Sequence, residues 1–501
     1  MKKNTAFLLS LGLLLAATGC KKDFLDLQPQ ATISAGGFFK TQDQVQQAVN
    51  GAYAPVRTLG NVYYWVFGEM RSDNTIFQYN DRNRGYESQR EFVDEFLVSA
   101  NSESVQDFWQ ISYNGISRCN DVLSKIDAVT MTAEKKSQYV GEVKFLRAMY
   151  YYDLVRQYGG VPLRLAAVES PSGNKSEGRA TADAVYTSII ADLTDSIAKL
   201  PAKAAYAAVD AGRATKGAAA TLLASVYLTR KDYPNAVIQL RAVRGGGYSL
   251  LPSYRSVFDP ANKNNAESIF EIQYLGSQPD LSSSFTFAFA PYTSGSLVTG
   301  DAATPTLDVG SGWNIPTPDL IAAYETGDLR KAASLALGYT DATGTFVSVP
   351  YITKYNFGIT APGRTDTNYP VLRYAAALLM LAEALNEQGY AAGGEAFAAL
   401  NEVRRRAGLP EKTAATVSDQ AQFRAAVLQE RRVELAFENY RWYDLVRTGQ
   451  AVALMNAEGV REKALHPTYL SANTYQVTEN KLLLPIPQRE VTIDKLEQNP
   501  L

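Results

Sequence analysis

The chain has 501 residues, 46% of them hydrophobic and 20% charged, which is the balance of a globular protein long enough to bury a large core. A formal net charge of -2, with no basic block, argues against a nucleic-acid binder. Aromatic residues reach 11%, including 30 tyrosines; buried rings pack and exposed rings offer flat faces with a polar handle, and composition does not separate the two uses.

Residues 1–19 read as an export signal. Lys2 and Lys3 give a basic start, Ala6 to Leu15 an apolar run, and Ala16, Ala17, Thr18 and Gly19 a small-residue exit. The run is too short and wrongly flanked for a membrane span. Cys20 follows at once, where a bacterial lipobox places its cysteine, although Ala17 stands where that pattern prefers Leu. Lipidation at Cys20 is expected; the other reading is ordinary cleavage with Cys20 incidental. Several acyl chains at about 0.8 kcal/mol per buried CH₂ would hold the protein firmly on a membrane. Acylation would leave Cys119 alone, so the mature chain would carry no intrachain disulfide. Cys119 shares a helical stretch with Trp109, Tyr113, Ile116 and Asn120 and is expected in the core.

Asp23 to Asp26 with Pro29 form an extended linker with one hydrophobic plug, Phe24-Leu25. Residues 41–58 predict a helix capped by Thr41 with Val45 and Val49 inward. Residues 60–104 lose the helical period and mix aromatics, amides and charges. Long irregular stretches in compact domains are functional or disordered, and the aromatics speak against disorder. A second helix is predicted over 134–158, where Val143, Leu146, Tyr150 and Leu154 keep its spacing. The pentapeptide Tyr152 to Arg156 repeats letter for letter at Tyr443 to Arg447, each copy closing a helix before a glycine. Both read as packing and capping devices.

Residues 180–244 hold helix pairs. Ala219, Leu223 and Val226 face Ala236, Leu240 and Val243 across a turn at 231–236, and Gly245 to Gly247 stop the second helix. A second pair sets Tyr374, Leu378, Leu381 and Leu385 against Ala396, Leu400, Val403 and Ala407. Small residues opposite large ones look like tetratricopeptide-type units. The units are separated by residues 248–370, so the expectation is a helical scaffold with a large insertion, not a simple solenoid. Within the insertion, 269–274 alternates like a strand. Residues 276–316 are rich in Ser, Thr and Gly with Phe285, Phe287, Phe289, Tyr292 and Trp313, and Thr317-Pro318 opens a short helix.

Residues 421–449 predict one helix. Glu430, Glu434 and Glu438 recur at a spacing of four along one side. Opposite charges three apart suggest the pairs Arg431–Glu434, Glu438–Arg441, Arg441–Asp444 and Asp444–Arg447. Apolar residues surround this ladder on more than one stripe, so the helix should be covered on most sides with some ion pairs out of water. Thr448-Gly449 ends it.

Several of these stretches together resemble one family. They are E-R-R-x-E-L-x-F-E-x-x-R-W-Y-D-L-V-R-x-G at 430–449, D-F-L-D-x-x-P at 23–29, the block from Arg147 to Leu163, the helix pair at 373–408, L-P-I-P at 484–487 and Q-N-P at 498–500. Their order is similar to that of the RagB/SusD family, the surface nutrient-binding lipoproteins of Bacteroidetes. The reading is a mostly α protein: a tetratricopeptide-like helical-repeat scaffold with a large irregular, loop-rich insertion containing little β. One domain would span 20–501, with helical scaffold mainly at 41–58, 105–247 and 370–449 and ligand-side segments at 60–104 and 248–370. The resemblance implies an outer-membrane lipoprotein, lipid-anchored and facing the exterior. It would capture an oligosaccharide and deliver it to a SusC-like TonB-dependent β-barrel transporter, sitting as a lid that buries well over about 2,000 Å².

Sugar sites need aromatic walls and a few placed polar groups. The two ligand-side segments supply Trp65, Asp73, Asn74, Tyr79 and Arg84 in the first and Tyr292 and Trp313 in the second; each is as able to serve local loop packing as ligand contact. No enzyme, cofactor or metal is expected. The one histidine, His466, precedes a proline, and no zinc-protease helix, nucleophile elbow or phosphate loop occurs. Glycosidase carboxylates can lie anywhere in a sequence, but the obvious cluster, Glu430 to Asp444, is matched by arginines that lower carboxyl pKa values. Two alternatives stand beside the main reading: a peptide ligand, as in RagB-like members, and a periplasmic helical-repeat assembly protein.

Overall fold

A computed structural model describes residues 38–79, 88–168, 178–303 and 312–500; the export signal, Cys20, the 23–29 linker and Arg84 lie outside the described residues. Helix α1 (Gln42–Thr58) begins with a reciprocal cap, in which the Gln44 N–H donates to Thr41 Oγ1 while Gln44 Oε1 accepts from the Thr41 N–H. Val45 and Val49 are fully buried beneath it. Helices α2 (Glu103–Lys125), α3 (Ala133–Tyr158), α4 (Ala182–Lys199), α5 (Lys216–Thr229) and α6 (Tyr233–Arg244) follow, each packed on the one before. Cys119 is buried on α2. Leu223 and Val226 of α5 and Ala236, Leu240 and Val243 of α6 are buried, as the small-against-large pattern requires.

The row does not stop at the insertion. Helix α6 packs directly on α7 (Tyr374–Gln388), which pairs in turn with α8 (Glu395–Arg406) and α9 (Gln420–Glu434). Two helix pairs that are distant in sequence are therefore neighbours in space. The insertion leaves and re-enters through one antiparallel pair, β1 (Ser268–Ile272) and β2 (Tyr369–Arg373), with Ile272 opposite Tyr369 and irregular register nearer Ser268. The remaining sheet among the described residues is three further two-residue antiparallel pairs. The fold is mostly helical, with strand confined to these short pairings.

The structure corrects two expectations. Residues 60–70 are not an irregular loop: the chain of α1 continues through two π-helical turns, Leu59–Tyr63 and Val66–Met70. Each π turn admits an extra residue and rotates the inward face, so no 3.6-residue period survives in the sequence. A further short helix covers Ser88–Asp94.

The stretch 421–449 is two helices, α9 and α10 (Arg441–Arg447), separated by a turn in which Phe437 and Asn439 adopt positive φ of 70° and 65°. Gly449 closes α10 with a φ of 74°, as the Thr-Gly ending requires. Of the four expected close pairs only Asp444–Arg447 forms, at 2.8 Å. Arg431 instead reaches forward to Asp444 at 2.8 Å, and Arg441 reaches back to Asp73 at 2.7 Å.

The glutamate ladder looks outward from its own helix to cations brought by other elements. Glu430 takes Arg330 at 2.6 Å and Arg404 at 2.7 Å. Glu434 takes Arg330 at 2.9 Å, Arg373 at 2.5 Å and Arg406. Glu438 takes Arg373 and Lys354, each at 2.6 Å. Glu267 and Asp328 complete the lattice against Arg373 and Arg330. All these side chains are buried, with one cation for each acid. Burial alone would raise the Glu434 carboxyl, but Arg406, Arg373 and Arg330 outweigh it and hold the pKa well below the usual carboxylate range.

The repeated pentapeptide meets itself in space. The Arg156 guanidinium lies 3.9 Å from the Tyr152 ring centre and 3.8 Å from that of Tyr443, and the Gln157 amide donates to the Tyr443 hydroxyl at 2.6 Å. One Tyr from each copy thus grips a single arginine.

Gly68 is the position where the second π turn touches the 435–440 turn. A Cβ there would lie 1.8 Å from Asn439 Oδ1 and 2.9 Å from its Cα. Gly68→Ala is expected to destabilise the protein by about 1–3 kcal/mol through overpacking, read as a lowered denaturation midpoint. A midpoint equal to the parent's would show that the turn yields freely.

Candidate functional site

The two segments that the sequence singles out are joined. Thr75 and Ile76 pair antiparallel with Pro316 and Ile315. Just beyond, the Gln78 N–H donates to the Gly312 carbonyl at 2.8 Å, and Gln78 Oε1 accepts from the Tyr292 N–H at 2.6 Å. On the other side of the pairing, Thr317 donates its N–H to the Asn74 carbonyl at 2.9 Å and its hydroxyl to the Asp73 carbonyl at 2.8 Å. Thr317 also caps the following short helix by accepting from the Leu320 N–H. A backbone ladder with a side-chain bond at each end fixes this rim.

Aromatic rings stand on the rim. Trp313 is half-buried and stacks on Trp65, with centroids 5.7 Å apart and planes 23° from parallel. Phe289 meets Trp65 edge-on at 5.4 Å, so the Trp313 platform rests on a packed layer. The Arg90 guanidinium lies 3.7 Å from the Trp313 ring centre. The Trp313 indole N–H has no hydrogen-bond partner among the described residues. Next to Gln78, half-buried Tyr79 stacks on Tyr469 at 5.5 Å and lies 4.7 Å from the His466 ring. Tyr292 is 8% exposed.

Three of the expected ligand residues are spent inside the protein. Trp65 is 1% exposed and donates its indole N–H to the Asn61 carbonyl at 3.0 Å, so it supports Trp313 and offers no face of its own. Asp73 is gripped by the Arg441 guanidinium at 2.7 and 2.8 Å and by Arg432 at 3.1 Å. Burial would raise its carboxyl; the hydrogen bonds and charge of Arg441, with Arg432 beside it, hold it below the usual range. Asn74 accepts from Arg432 Nε at 2.9 Å and donates to Glu69 at 3.2 Å. Burial pushes the Glu69 carboxyl up to about 7. Direct contact is thereby corrected for Trp65, Asp73 and Asn74; Tyr79, Tyr292 and Trp313 stand at the rim, and Arg84 lies outside the described residues.

Sequence reasoning missed Gln78, Arg90, His466 and Tyr469. Gln78 and Arg90 lie within the flagged segment, so only their residue type concealed them. His466 stood out only as the one histidine, before a proline. It ends helix α11 (Ala451–Leu465), its N–H donates to the Glu462 carbonyl at 2.8 Å, and burial lowers its pKa.

Two family profiles match this chain. One, described as the SusD family, fits residues 324–501; the other, described as starch-binding associating with outer membrane, fits residues 23–228. The chain belongs to the RagB/SusD family. It is 29% identical to SusD-like protein P2 of Formosa agariphila over 96% of this chain and 95% of that one. It is 27% identical to the starch-binding protein SusD of Bacteroides thetaiotaomicron, over 64% of this chain and 66% of that protein. Among solved structures, a laminarin-binding SusD-like protein superposes with a TM-score of 0.76 at 27% identity, covering 92% of this chain and 99% of that one. In this SusD-like chain the two profiles leave residues 229–323 between them, the stretch that holds Tyr292 and Trp313.

Proposed function

We propose that this SusD-like protein is an outer-membrane lipoprotein, anchored through Cys20 and facing the exterior, that binds an oligosaccharide without cleaving it. It hands that cargo to a SusC-like TonB-dependent β-barrel transporter. The observation that carries the binding reading is the rim: Gln78 and Tyr292, 214 residues apart in sequence, are hydrogen-bonded together between the Trp313 and Tyr79 platforms. Flat rings beside amide and guanidinium groups suit the apolar faces and hydroxyls of sugars. The laminarin-binding and starch-binding names of relatives support the same ligand class. The lipid anchor rests on the cysteine at the exit of the export signal, and the transporter partnership on family membership.

The non-catalytic reading has a physical support. A general acid needs a raised pKa and access to the glycosidic oxygen. The raised carboxyls near Tyr79 are Asp94 and Glu462, the latter at about 7, and both owe the shift first to burial. They are 0% and 1% exposed, so neither reaches a bound sugar.

The test is retention without turnover. Purified protein in native gels containing laminarin, starch or other glycans should be retarded by at least one, while the glycan gains no new reducing ends. New reducing ends would defeat the binding-only reading. Retention of peptides with no glycan retained would favour the peptide-binding alternative.

A further inference from the structure

Two grooves flank helix α2, and neither is lined by Trp313, Tyr79 or Tyr292. The first, of about 480 Å³, lies against the end of α1 and reaches Asn61, Tyr274 and Asp280. The second, of about 580 Å³, lies on the other flank and is walled by Trp109, Tyr113, Pro162 and Ile493. Each volume is that of a ligand site. The two share Gln110, Asn114 and Arg118, which stand one turn apart on one face of α2 and form a polar ridge between the grooves.

The ridge has unspent hydrogen-bonding capacity. The side-chain amides of Gln110 and Asn114 have no partner among the described residues, and Asn114 and Arg118 are exposed. Arg118 gives one N–H to the Gly51 carbonyl at 2.8 Å. A carboxamide offers two donors and an acceptor, the complement of neighbouring hydroxyls on a neutral sugar ring. The charges around the grooves, Arg118 and Asp280 among them, are of mixed sign, which selects no strongly charged polymer.

The first groove also touches the layer beneath the rim. The Asn61 carbonyl accepts the Trp65 indole N–H at 3.0 Å, and its side-chain oxygen accepts from the Ser284 N–H at 2.9 Å. Asn61 therefore belongs both to the groove and to the support of Trp313.

We propose that the α2 ridge and its grooves form a second saccharide-binding surface, which engages a longer stretch of a neutral glycan whose other part stacks at Trp313. This rests on the glycan-binding reading above. It makes affinity depend on chain length, because a short oligosaccharide fills the rim alone while a polysaccharide reaches both surfaces.

The experiment compares the parent with Gln110→Ala/Asn114→Ala and with Asn114→Ala alone, all surface changes on α2, each checked by its melting temperature. Binding is measured for the polysaccharide the parent retains and for its trisaccharide. The double variant should lose about tenfold in polysaccharide affinity, through two neutral hydrogen-bonding groups, and keep its trisaccharide affinity. Asn114→Ala should lose a smaller part of the same affinity. Unchanged polysaccharide affinity in folded variants would overturn the second surface. Equal losses for both ligands would also overturn it, by showing that the ridge acts only through the rim. A parent that retains no glycan would instead sink the glycan-binding reading itself.

Discussion

Replacing Glu434 by alanine should destabilise the protein by about 3–5 kcal/mol, the cost of breaking a buried ion pair by removing one partner. Glu434 is fully buried and accepts from Arg330, Arg373 and Arg406, brought by three separate parts of the chain. Without it those guanidinia remain in the interior with fewer counter-charges. The value follows from denaturant unfolding at neutral pH; a loss under about 1 kcal/mol would mean that the lattice relaxes or admits water.

The buried ion pairs also set an acid dependence. Burial acts to raise Asp444, but Arg431 and Arg447 bring it down to about 2, and Glu434 also lies below its ordinary value. A carboxyl depressed in the folded state stabilises above its unfolded pKa, near 4, and loses that contribution as pH falls through the folded pKa. Stability should therefore decline between about pH 4 and pH 2, and Glu434→Ala should flatten that decline. A parent midpoint that is level across this window would contradict the sign.

The second large effect falls on binding. Trp313→Ala should weaken glycan retention by about 2 kcal/mol, roughly thirtyfold, as loss of an aromatic anchor in a recognition site does. Trp313 is half-buried and backed by Trp65, so it is rigid and still presents surface. Trp65→Ala should behave differently. Its ring is 1% exposed, so its removal opens a cavity costing about 3–5 kcal/mol of stability before any effect on sugar is counted. Titration calorimetry and thermal melting on the two variants separate these outcomes. If Trp313→Ala bound glycan as the parent does, the rim would not be the site.

The row of helices was legible because its causes are local. Thr41 with Gln44, the small-against-large faces of α5 and α6, and Gly449 all act within a few residues of themselves. The break between α9 and α10 was not. Glu438 is drawn out of helical spacing by Arg373 and Lys354, 65 and 84 residues away. Residues 60–70 misled for another reason, since two π turns erase the period by which a helix announces itself.

The site divided in the same way. Of the residues that type and irregular context singled out, Trp313 and Tyr79 are half-buried at the rim and Tyr292 is buried beside them. Asp73 and Asn74 have the chemistry of hydroxyl binders, yet their partners Arg441 and Arg432, 368 and 358 residues away, were invisible until the chain was folded. His466 had no sequence signal at all; the fold alone brings its ring to 4.7 Å from that of Tyr79.

The insertion enters and leaves through adjacent strands, β1 and β2, while α6 meets α7 as though nothing intervened. A lineage could therefore exchange most of residues 273–368 like an interchangeable cartridge, acquiring a new appetite without rethreading the spine. Arg330 and Lys354 are pegs that a replacement would have to reproduce, because they plug into Glu430, Glu434 and Glu438.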